Sequence, residues 1–266
     1  MKHFDQGTYW IDRVSGKMGL GAVGQRSLGA EYNRWIYQRR VDALNELCRE
    51  SIKTNEDTRV LDLGCGAGFY EVYWQSLGVK HLTGVDISAQ NVAAIQQKFP
   101  NYRFVQADLT EFAGSLDGRY DVVTLFDVIY HLVDDAAAHR ALGIASAHLA
   151  ENGRLLLFDQ LVKQDYNLRQ HVKFRGRENF ARMLHSQGLE IEKEIPLFVL
   201  LVPPIYGIRP VDYLVAGMYY VAGLLFRAVP QIGFLAGRGA YAMDAALLRR
   251  RTFTQNHSLY VIRQAR

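Results

Sequence analysis

The chain has 266 residues, 49% hydrophobic and 22% charged, so it can bury the core of one large domain and is not mainly disordered. The 31 basic and 27 acidic residues give a net charge of only +4, which is too mild, without clustering, to indicate a nucleic-acid partner. Two cysteines, Cys48 and Cys65, can build neither a disulfide framework nor a zinc cluster, and no side-chain cluster has metal-ligand spacing. Residues 1–20 contain no apolar run, so we expect no secretory signal and a cytoplasmic location.

The N-terminal segment differs in composition from the rest. Residues 7–29 are rich in glycine, which predicts a flap, and residues 31–53 carry apolar side chains at helical spacing. We predict that residues 1–55 form a flap and a helix that close over a bound ligand. A helix that simply packs on the sheet remains an equal alternative for the second part. The aromatic residues expected to touch a substrate here are Tyr9, Trp10 and Tyr32.

Apolar strands alternate with helical segments from residue 59 to residue 160. The predicted strands are Arg59–Leu63, His81–Asp86, Tyr102–Gln106, Tyr120–Phe126 and Arg154–Asp159. The predicted helices are Ala67–Leu77, a helix from an N-cap at Ser88 to Phe99, and Asp134–Leu149. Repeated strand–helix units predict an α/β fold, in which helices cover a parallel sheet. A helix at Arg177–Ser186, an apolar segment at Glu190–Leu201 and a closing strand at Ser258–Arg263 complete a core of residues 56–201 and 254–266.

Residues 202–253 form an apolar insert before the closing strand. Within it, Tyr213–Phe226 is uncharged over fourteen residues, fewer than the roughly 20 needed to cross a bilayer. A helix that is apolar on all sides is expected to be buried. It could cap a substrate, form a homodimer interface or lie on a membrane surface. The substrate cap is preferred, because a membrane-surface helix usually has a strongly charged opposite face.

The motif VLDLGCGAGF, residues 60–69, carries the strongest chemical signal. A buried strand runs into a glycine-rich turn, where the backbone can approach a ligand closely and unpaired N–H groups open a helix. Alone, this motif could be a tight turn without a ligand. Asp86 and Asp108 follow the next two strands, and DVVTLFDVIYH brings a fourth strand to the same edge. Because ligands bind at the carboxyl ends of such strands, Asp86 could accept ribose hydroxyls and Asp108 an adenine amine.

A nicotinamide dehydrogenase also uses a glycine turn and an acidic residue. Its G-x-G-x-x-G pattern, counted from Gly64, would place Phe69 where the third glycine is needed for close packing. A matching pattern at residues 19–24 follows no convincing strand. The sequence therefore disfavours a dehydrogenase.

Together, VLDLGCGAGF, GVDIS, QADL, DVVTLFDVIYHL and LAENGRLLLFDQ resemble the class I S-adenosylmethionine-dependent methyltransferases. The resemblance covers residues 59–160 well and the remainder loosely. It implies a Rossmann-like, doubly wound, mostly parallel seven-stranded sheet with an antiparallel last strand, here preceded by a helical insert and completed by an N-terminal helical lid. It also implies S-adenosyl-L-methionine as the cofactor and a small molecule as the acceptor.

By the same resemblance, the turn residues Gly64, Cys65 and Gly66 would line the methionine part of the cofactor, with Asp62 at the end of the preceding strand. Asp86 would hold the ribose hydroxyls. The remaining cofactor contacts would come from Ile87 and Leu109 beside the adenine, Asp108 at its amine, and Phe126 near the methionine moiety.

Methyl transfer to a hydroxyl benefits from a base, which contributes on the order of 10²–10⁴ in rate. His131 follows the fourth strand beside Tyr130, and the ordinary pKa of histidine, about 6.5, suits this role. His171 is the second candidate, and Tyr130 and Tyr166 are candidate substrate contacts. Each histidine could instead be structural or solvated.

The sequence thus predicts a methyltransferase that modifies a hydroxyl on a secondary metabolite, a sugar derivative or a lipid-like compound. An N- or C-methyltransferase acting on an aromatic or membrane-associated acceptor is the first alternative. A non-catalytic cofactor-binding scaffold that has kept the fold is the second.

Overall fold

The structure is a computed structural model, and it describes residues 24–111, 116–249 and 257–265. The described residues divide into two compact units. One, the sheet unit, contains the described residues of 54–194 and residues 260–265. The other, the helical unit, contains residues 24–53 and the described residues between 195 and 259. The N-terminal helix and the helices of the apolar insert therefore belong to the same unit.

The main sheet consists of β1 (Arg59–Leu63), β2 (His81–Asp86), β3 (Arg103–Gln106), β4 (Tyr120–Phe126), β5 (Leu149–Asp159), β8 (Leu189–Pro196) and β9 (Ser258–Gln264), and a separate hairpin of β6 (Tyr166–Arg169) and β7 (Val172–Phe174) follows β5. The helices are α1 (Ala30–Glu50), α2 (Phe69–Ser76), α3 (Ala89–Lys98), α4 (Asp135–His148), α5 (Arg177–His185), α6 (Arg209–Ala228) and α7 (Pro230–Arg249). Short 3₁₀ turns occur at Arg26–Leu28 and Ile129–His131.

The seven strands of the main sheet are ordered β3-β2-β1-β4-β5-β9-β8. The first five pair in parallel, with Val60 opposite Leu82 on one side and Val122 on the other. One strand of the sheet is antiparallel, which confirms the predicted fold class. Because the chain winds outward from β1 in one direction and from β4 in the other, their carboxyl ends flank the crevice where such sheets bind ligands.

Burial explains why these segments form strands. Four of the five residues of β1 and six of the seven of β4 are buried, as expected for parallel strands covered on both faces. The exception in β4 is Asp121, whose carboxylate accepts a hydrogen bond of 2.8 Å from the backbone N–H of Arg59. The core continues through Leu61, Leu125 and Leu157 to the alanine-rich face of α4.

Three local features differ from the sequence prediction. The strand predicted at Arg154–Asp159 starts at Leu149 in the structure, and this strand, β5, pairs with β4 through a register shift. The helix expected from Ala67 begins at Phe69, because Gly66 and Gly68 adopt φ of +56° and +77°. The β6–β7 hairpin was not predicted, since its strands have only four and three residues and are partly exposed.

The helical unit packs aromatic side chains of α1 against α6 and α7. Tyr32 stacks on Phe226 with ring centroids 5.3 Å apart, and Trp35 lies 5.2 Å from Phe234. A Cβ on Gly237 would be 2.6 Å from the Trp35 ring, so this contact requires glycine. Within the described ranges, no helix has the length and apolarity needed to cross a membrane.

Candidate active site

The glycine turn after β1 needs its glycines for three different reasons. Gly64 has φ of +89°, and a Cβ there would lie 2.4 Å from Cγ2 of Val128, in the segment after β4. Gly66 also has positive φ, but the nearest atom to its Cβ position is the Gly64 carbonyl oxygen, at 3.9 Å. Gly68 directly precedes α2, and a Cβ there would lie 3.0 Å from Cγ2 of Ile95 in α3. Only Gly66 therefore combines a left-handed backbone with open space, as a backbone that approaches a ligand should.

A pair of buried carboxyl groups lies beneath this turn. Asp62 is 1% and Glu71 0% exposed. Thr124 donates a hydrogen bond of 2.5 Å to Asp62 Oδ1, whereas no other described residue donates to Asp62 Oδ2 or to the Glu71 oxygens. The two carboxyls can bond each other when one is protonated. Burial raises the pKa of Asp62 to about 6, and burial with the charge of Asp62 raises the pKa of Glu71 well above its usual range.

Asp86, at the end of β2, braces the glycine turn. Its Oδ2 accepts the Gly66 N–H at 2.9 Å and its Oδ1 accepts the Ser88 N–H at 2.9 Å. Burial raises the pKa of Asp86, while these two bonds oppose the rise. Because an ionised carboxylate has about four acceptor positions, the side chain keeps capacity for two hydroxyl donors. Ser88 caps α3, as the sequence predicts, by accepting the Asn91 N–H.

The neighbouring predicted cofactor residues lie at the ends of β2, β3 and β4. Ile87 is half-buried, and Asp108 accepts the Thr110 N–H at 2.7 Å. Leu109 belongs to the hydrophobic core. Phe126 lies 4.5 Å from the Tyr70 ring and 4.3 Å from the Phe158 ring, between centroids. Cys65 is buried, and burial raises the pKa of its thiol, so it is not a reactive thiolate.

His131 is held in one tautomer by the β6–β7 hairpin. Its Nδ1 lies 3.0 Å from the carbonyl oxygen of His171. Because a carbonyl can only accept, Nδ1 must carry the proton, and the neutral ring has its lone pair on Nε2. The Tyr130 ring lies 4.3 Å from that of His131 and 5.7 Å from that of Phe174.

Arg175, directly after the hairpin, fixes the segment that carries His131. Its guanidinium is 1% exposed and donates to the backbone oxygens of Ile129 (3.0 Å) and Leu132 (2.7 Å). It also pairs with Asp135 at 2.9 Å, where Lys173 binds the same carboxylate at 2.8 Å. These cations hold the pKa of Asp135 below its usual range, against a partial desolvation. The hairpin and the turn after β4 therefore form one rigid assembly.

A third acidic side chain, Asp159, ends β5 at the same edge. It is 2% exposed, and its Oδ1 accepts the Gln160 N–H at 2.6 Å. Burial raises its pKa to about 7, with a further contribution from the charge of Asp127 after β4 and an opposing one from Arg175. Asp127 adopts φ of +61°, uncommon outside glycine. Asp127 and Asp159 thus mark the carboxyl ends of β4 and β5.

Most described residues of the prediction lie at or just after the carboxyl ends of β1, β2, β3 and β4. Tyr32 is buried within the helical unit against Phe226, and Tyr9 and Trp10 lie outside the described residues. Tyr166, on β6, pairs with Phe174. Sequence reasoning missed Glu71 and Arg175. Their significance depends on burial, for which the only sequence signal was position beside a predicted turn or strand end.

Comparison with known proteins identifies the family of this chain. The model of a family described as a methyltransferase domain matches residues 32–194, more than half of the chain. The chain belongs to this family, the class I S-adenosylmethionine-dependent methyltransferases. This chain is 28% identical over 166 residues to a ubiquinone biosynthesis O-methyltransferase of Albidiferax ferrireducens. That match covers 56% of this chain and 61% of the relative, so the chain spans less than two thirds of that protein.

Two solved structures share the fold. The magnesium protoporphyrin IX methyltransferase of Synechocystis, solved with bound S-adenosylmethionine, has a TM-score of 0.58 at 20% identity over 76% of this chain and 95% of its own. The N-methyltransferase NodS of Bradyrhizobium japonicum, in complex with S-adenosyl-L-homocysteine, has a TM-score of 0.56 at 18% identity over 73% and 92%.

The residues at this edge of the sheet fit S-adenosylmethionine. The Gly66 backbone has open space beside it, and Asp62 Oδ2 accepts no hydrogen bond unless a proton is shared with Glu71. Both features suit a ligand that brings ammonium and hydroxyl donors. A positively charged ligand would favour ionisation of the Asp62–Glu71 pair, so the pair also suits a cationic ligand.

Proposed function

We propose that this methyltransferase transfers a methyl group from S-adenosylmethionine to a hydroxyl oxygen of a small, largely apolar acceptor, with His131 as the base. The observation that carries the proposal is the hydrogen bond between His131 Nδ1 and the His171 carbonyl oxygen. It leaves Nε2 as the proton acceptor in the neutral ring. His171 would thus act through its backbone, as a positioning residue, rather than as a second base.

We assign each residue a part in this reaction from its position after a strand of the sheet. Gly64, Cys65 and Gly66 would hold the methionine part of the cofactor, Asp86 the ribose, and Asp108 and Ile87 the adenine. When bound, the cofactor supplies a methyl group already activated by the positive charge of its sulfur. The protein must place the acceptor oxygen in line with that methyl group, remove its proton and exclude water. Tyr130, which lies against His131, would give the acceptor an aromatic surface.

Two observations narrow the class of acceptor beyond the hydroxyl group that the reaction itself needs. The relative in Albidiferax ferrireducens is named for ubiquinone biosynthesis, and the half-buried ring of Tyr130 lies against His131. Both support a hydroxylated aromatic or lipid-like acceptor over a sugar. The N-terminal flap with Tyr9 and Trp10 remains a predicted lid that would exclude water.

Methyl transfer to nitrogen is the second candidate, because Asp159 and Asp127 lie at the ends of β5 and β4. Their carboxylates would attract a protonated amine and could take its proton. An amine acceptor would make activity depend on Asp159, whereas a hydroxyl acceptor would make it depend on His131.

The test measures transfer of a labelled methyl group from S-adenosylmethionine to a panel of catechols, phenols, hydroxy fatty acids, sugars and amines. His131→Asn should lower kcat by on the order of 10²–10⁴ without changing cofactor affinity, and should remove the rise in rate as the imidazole deprotonates. His81→Asn, an exposed histidine at the amino end of β2, is the matched control. Full activity in His131→Asn would remove this base, and cofactor binding without turnover on any acceptor would favour the scaffold.

A further inference from the structure

The α6–α7 helix pair turns its large apolar side chains outward. Of the fifteen large hydrophobic residues that are exposed among those the structure describes, fourteen lie between Tyr206 and Met243. On α6 they include Leu214 (67% exposed), Met218 (64%) and Val221 (65%), which are spaced at helical intervals. Between Asp212 and Arg227, α6 carries no charged side chain. We call the exposed large hydrophobics from Val211 to Met243 the outer face.

Helices α6 and α7 cannot rotate about their axes to bury the outer face. A Cβ on Gly223 of α6 would lie 2.0 Å from the carbonyl oxygen of Ser27, and one on Gly237 of α7 would lie 2.6 Å from Trp35. Both glycines are buried contact points, and a larger residue rotated into either position would overlap its neighbour. The inner side of the pair is therefore fixed against the rest of the helical unit, and the apolar outer face is a built feature.

The exposed charge on the pair is entirely basic. Its two acidic residues, Asp212 and Asp244, are 1% and 0% exposed. Asp244 accepts the backbone N–H groups of Val199, Leu200 and Leu201 at 2.9, 2.6 and 3.2 Å, and Asp212 accepts that of Tyr206 at 2.7 Å. The exposed charges are Arg209, Arg227, Arg238 and Arg249, and the sequence continues with Arg250 and Arg251.

We propose that the outer face of α6–α7 docks on the surface of a membrane that contains anionic lipids, with its arginines at the headgroups. Apolar side chains that enter the headgroup boundary and flanking arginines that meet anionic lipid are the two components of interfacial binding. The sequence argument against this surface was the lack of a charged opposite face. That argument fails because the opposite face of α6 packs on protein rather than meeting water.

A second copy of the chain fits the same face less well. A two-fold interface would bring the face against itself, and its arginines would meet arginines without any exposed acid in the pair to balance them. Like charges across an interface are costly. Anionic lipid supplies the missing opposite charge. This proposal does not depend on which acceptor is methylated.

The experiment is vesicle co-sedimentation of the full chain. Vesicles of phosphatidylcholine with about one third phosphatidylglycerol should bind the protein, and pure phosphatidylcholine should bind it much more weakly. The triple variant Leu214→Ser/Met218→Ser/Val221→Ser should lose at least about tenfold in partitioning. In the double variant Arg238→Gln/Arg249→Gln, partitioning onto the anionic vesicles should fall roughly fivefold for each arginine removed. Added salt should also weaken the binding of the wild type to these vesicles.

Two controls match these variants. Val72→Ser removes an exposed valine of α2, and Arg182→Gln removes an exposed arginine of α5; neither should change partitioning. All substituted side chains are exposed, so melting curves and cofactor affinity should match the wild type. Unchanged binding in the triple variant, or equal binding to neutral and anionic vesicles, would overturn the proposal. So would a dimer in sedimentation velocity that the triple variant abolishes, in a protein that does not bind vesicles.

Discussion

Gly64→Ala tests how the glycine turn is locked against the segment after β4. The substitution places a methyl group 2.4 Å from Val128 Cγ2 at a residue with φ of +89°. The left-handed backbone costs about 1–2 kcal/mol for a non-glycine residue, and overpacking costs about 1–3 kcal/mol more. We expect the free energy of unfolding to fall by about 2–5 kcal/mol, measured by urea denaturation with circular dichroism.

A double-mutant cycle separates the two contributions. Val128→Ala removes the methyl group that the new Cβ would strike, and alone it should cost about 1–2 kcal/mol. Gly64→Ala/Val128→Ala should then be more stable than the sum of the single effects by about 1–3 kcal/mol. Gly66→Ala, whose Cβ has 3.9 Å of clearance, should cost only the backbone contribution but weaken cofactor binding. Additive effects in the cycle would refute the steric argument.

Three further predictions concern charged side chains of the sheet unit. Asp86→Ala should weaken binding of S-adenosyl-L-homocysteine by about 1–3 kcal/mol in calorimetry; an unchanged affinity would exclude the ribose contact. The pKa of Asp159 rises from its ordinary 3.8 to about 7 on folding, so the native state binds the extra proton between these values and stability falls as pH rises through that window. At 1.36 kcal/mol per pKa unit the loss is at most about 4 kcal/mol, and Asp159→Asn should flatten the dependence of urea midpoints on pH. Arg175→Met should lower kcat and shift the pH–rate profile while methyl transfer stays detectable, because it loosens the segment that carries His131; a profile identical to wild type would limit Arg175 to a structural role.

The strands of the sheet were predictable because their burial is encoded locally. The sequence places β1, β2 and β4 at the residues where the structure has them, since near-continuous apolar runs bounded by glycine, aspartate or proline are typical of buried parallel strands. The cap at Ser88 was equally local. The cofactor edge followed from topology, because residues after successive parallel strands share one edge.

Features that depend on tertiary contacts were not predictable in this way. Glu71 occupies the first turn of α2, where an acidic residue is ordinary, and only its burial beside Asp62 makes it unusual. An arginine such as Arg175 is expected at the surface, and only the structure shows its four carbonyl and carboxylate partners. Which side of α6 faces outward was not predictable either, because an apolar helix has no polar stripe to mark it, and only the structure shows that the buried Gly223 lies against Ser27.

Calorimetric titration of the full chain with S-adenosyl-L-homocysteine tests the central claim most directly. The account predicts saturable binding at one site per chain, unaffected by excess NADH. An absence of binding at millimolar ligand, or displacement of the ligand by NADH, would contradict it.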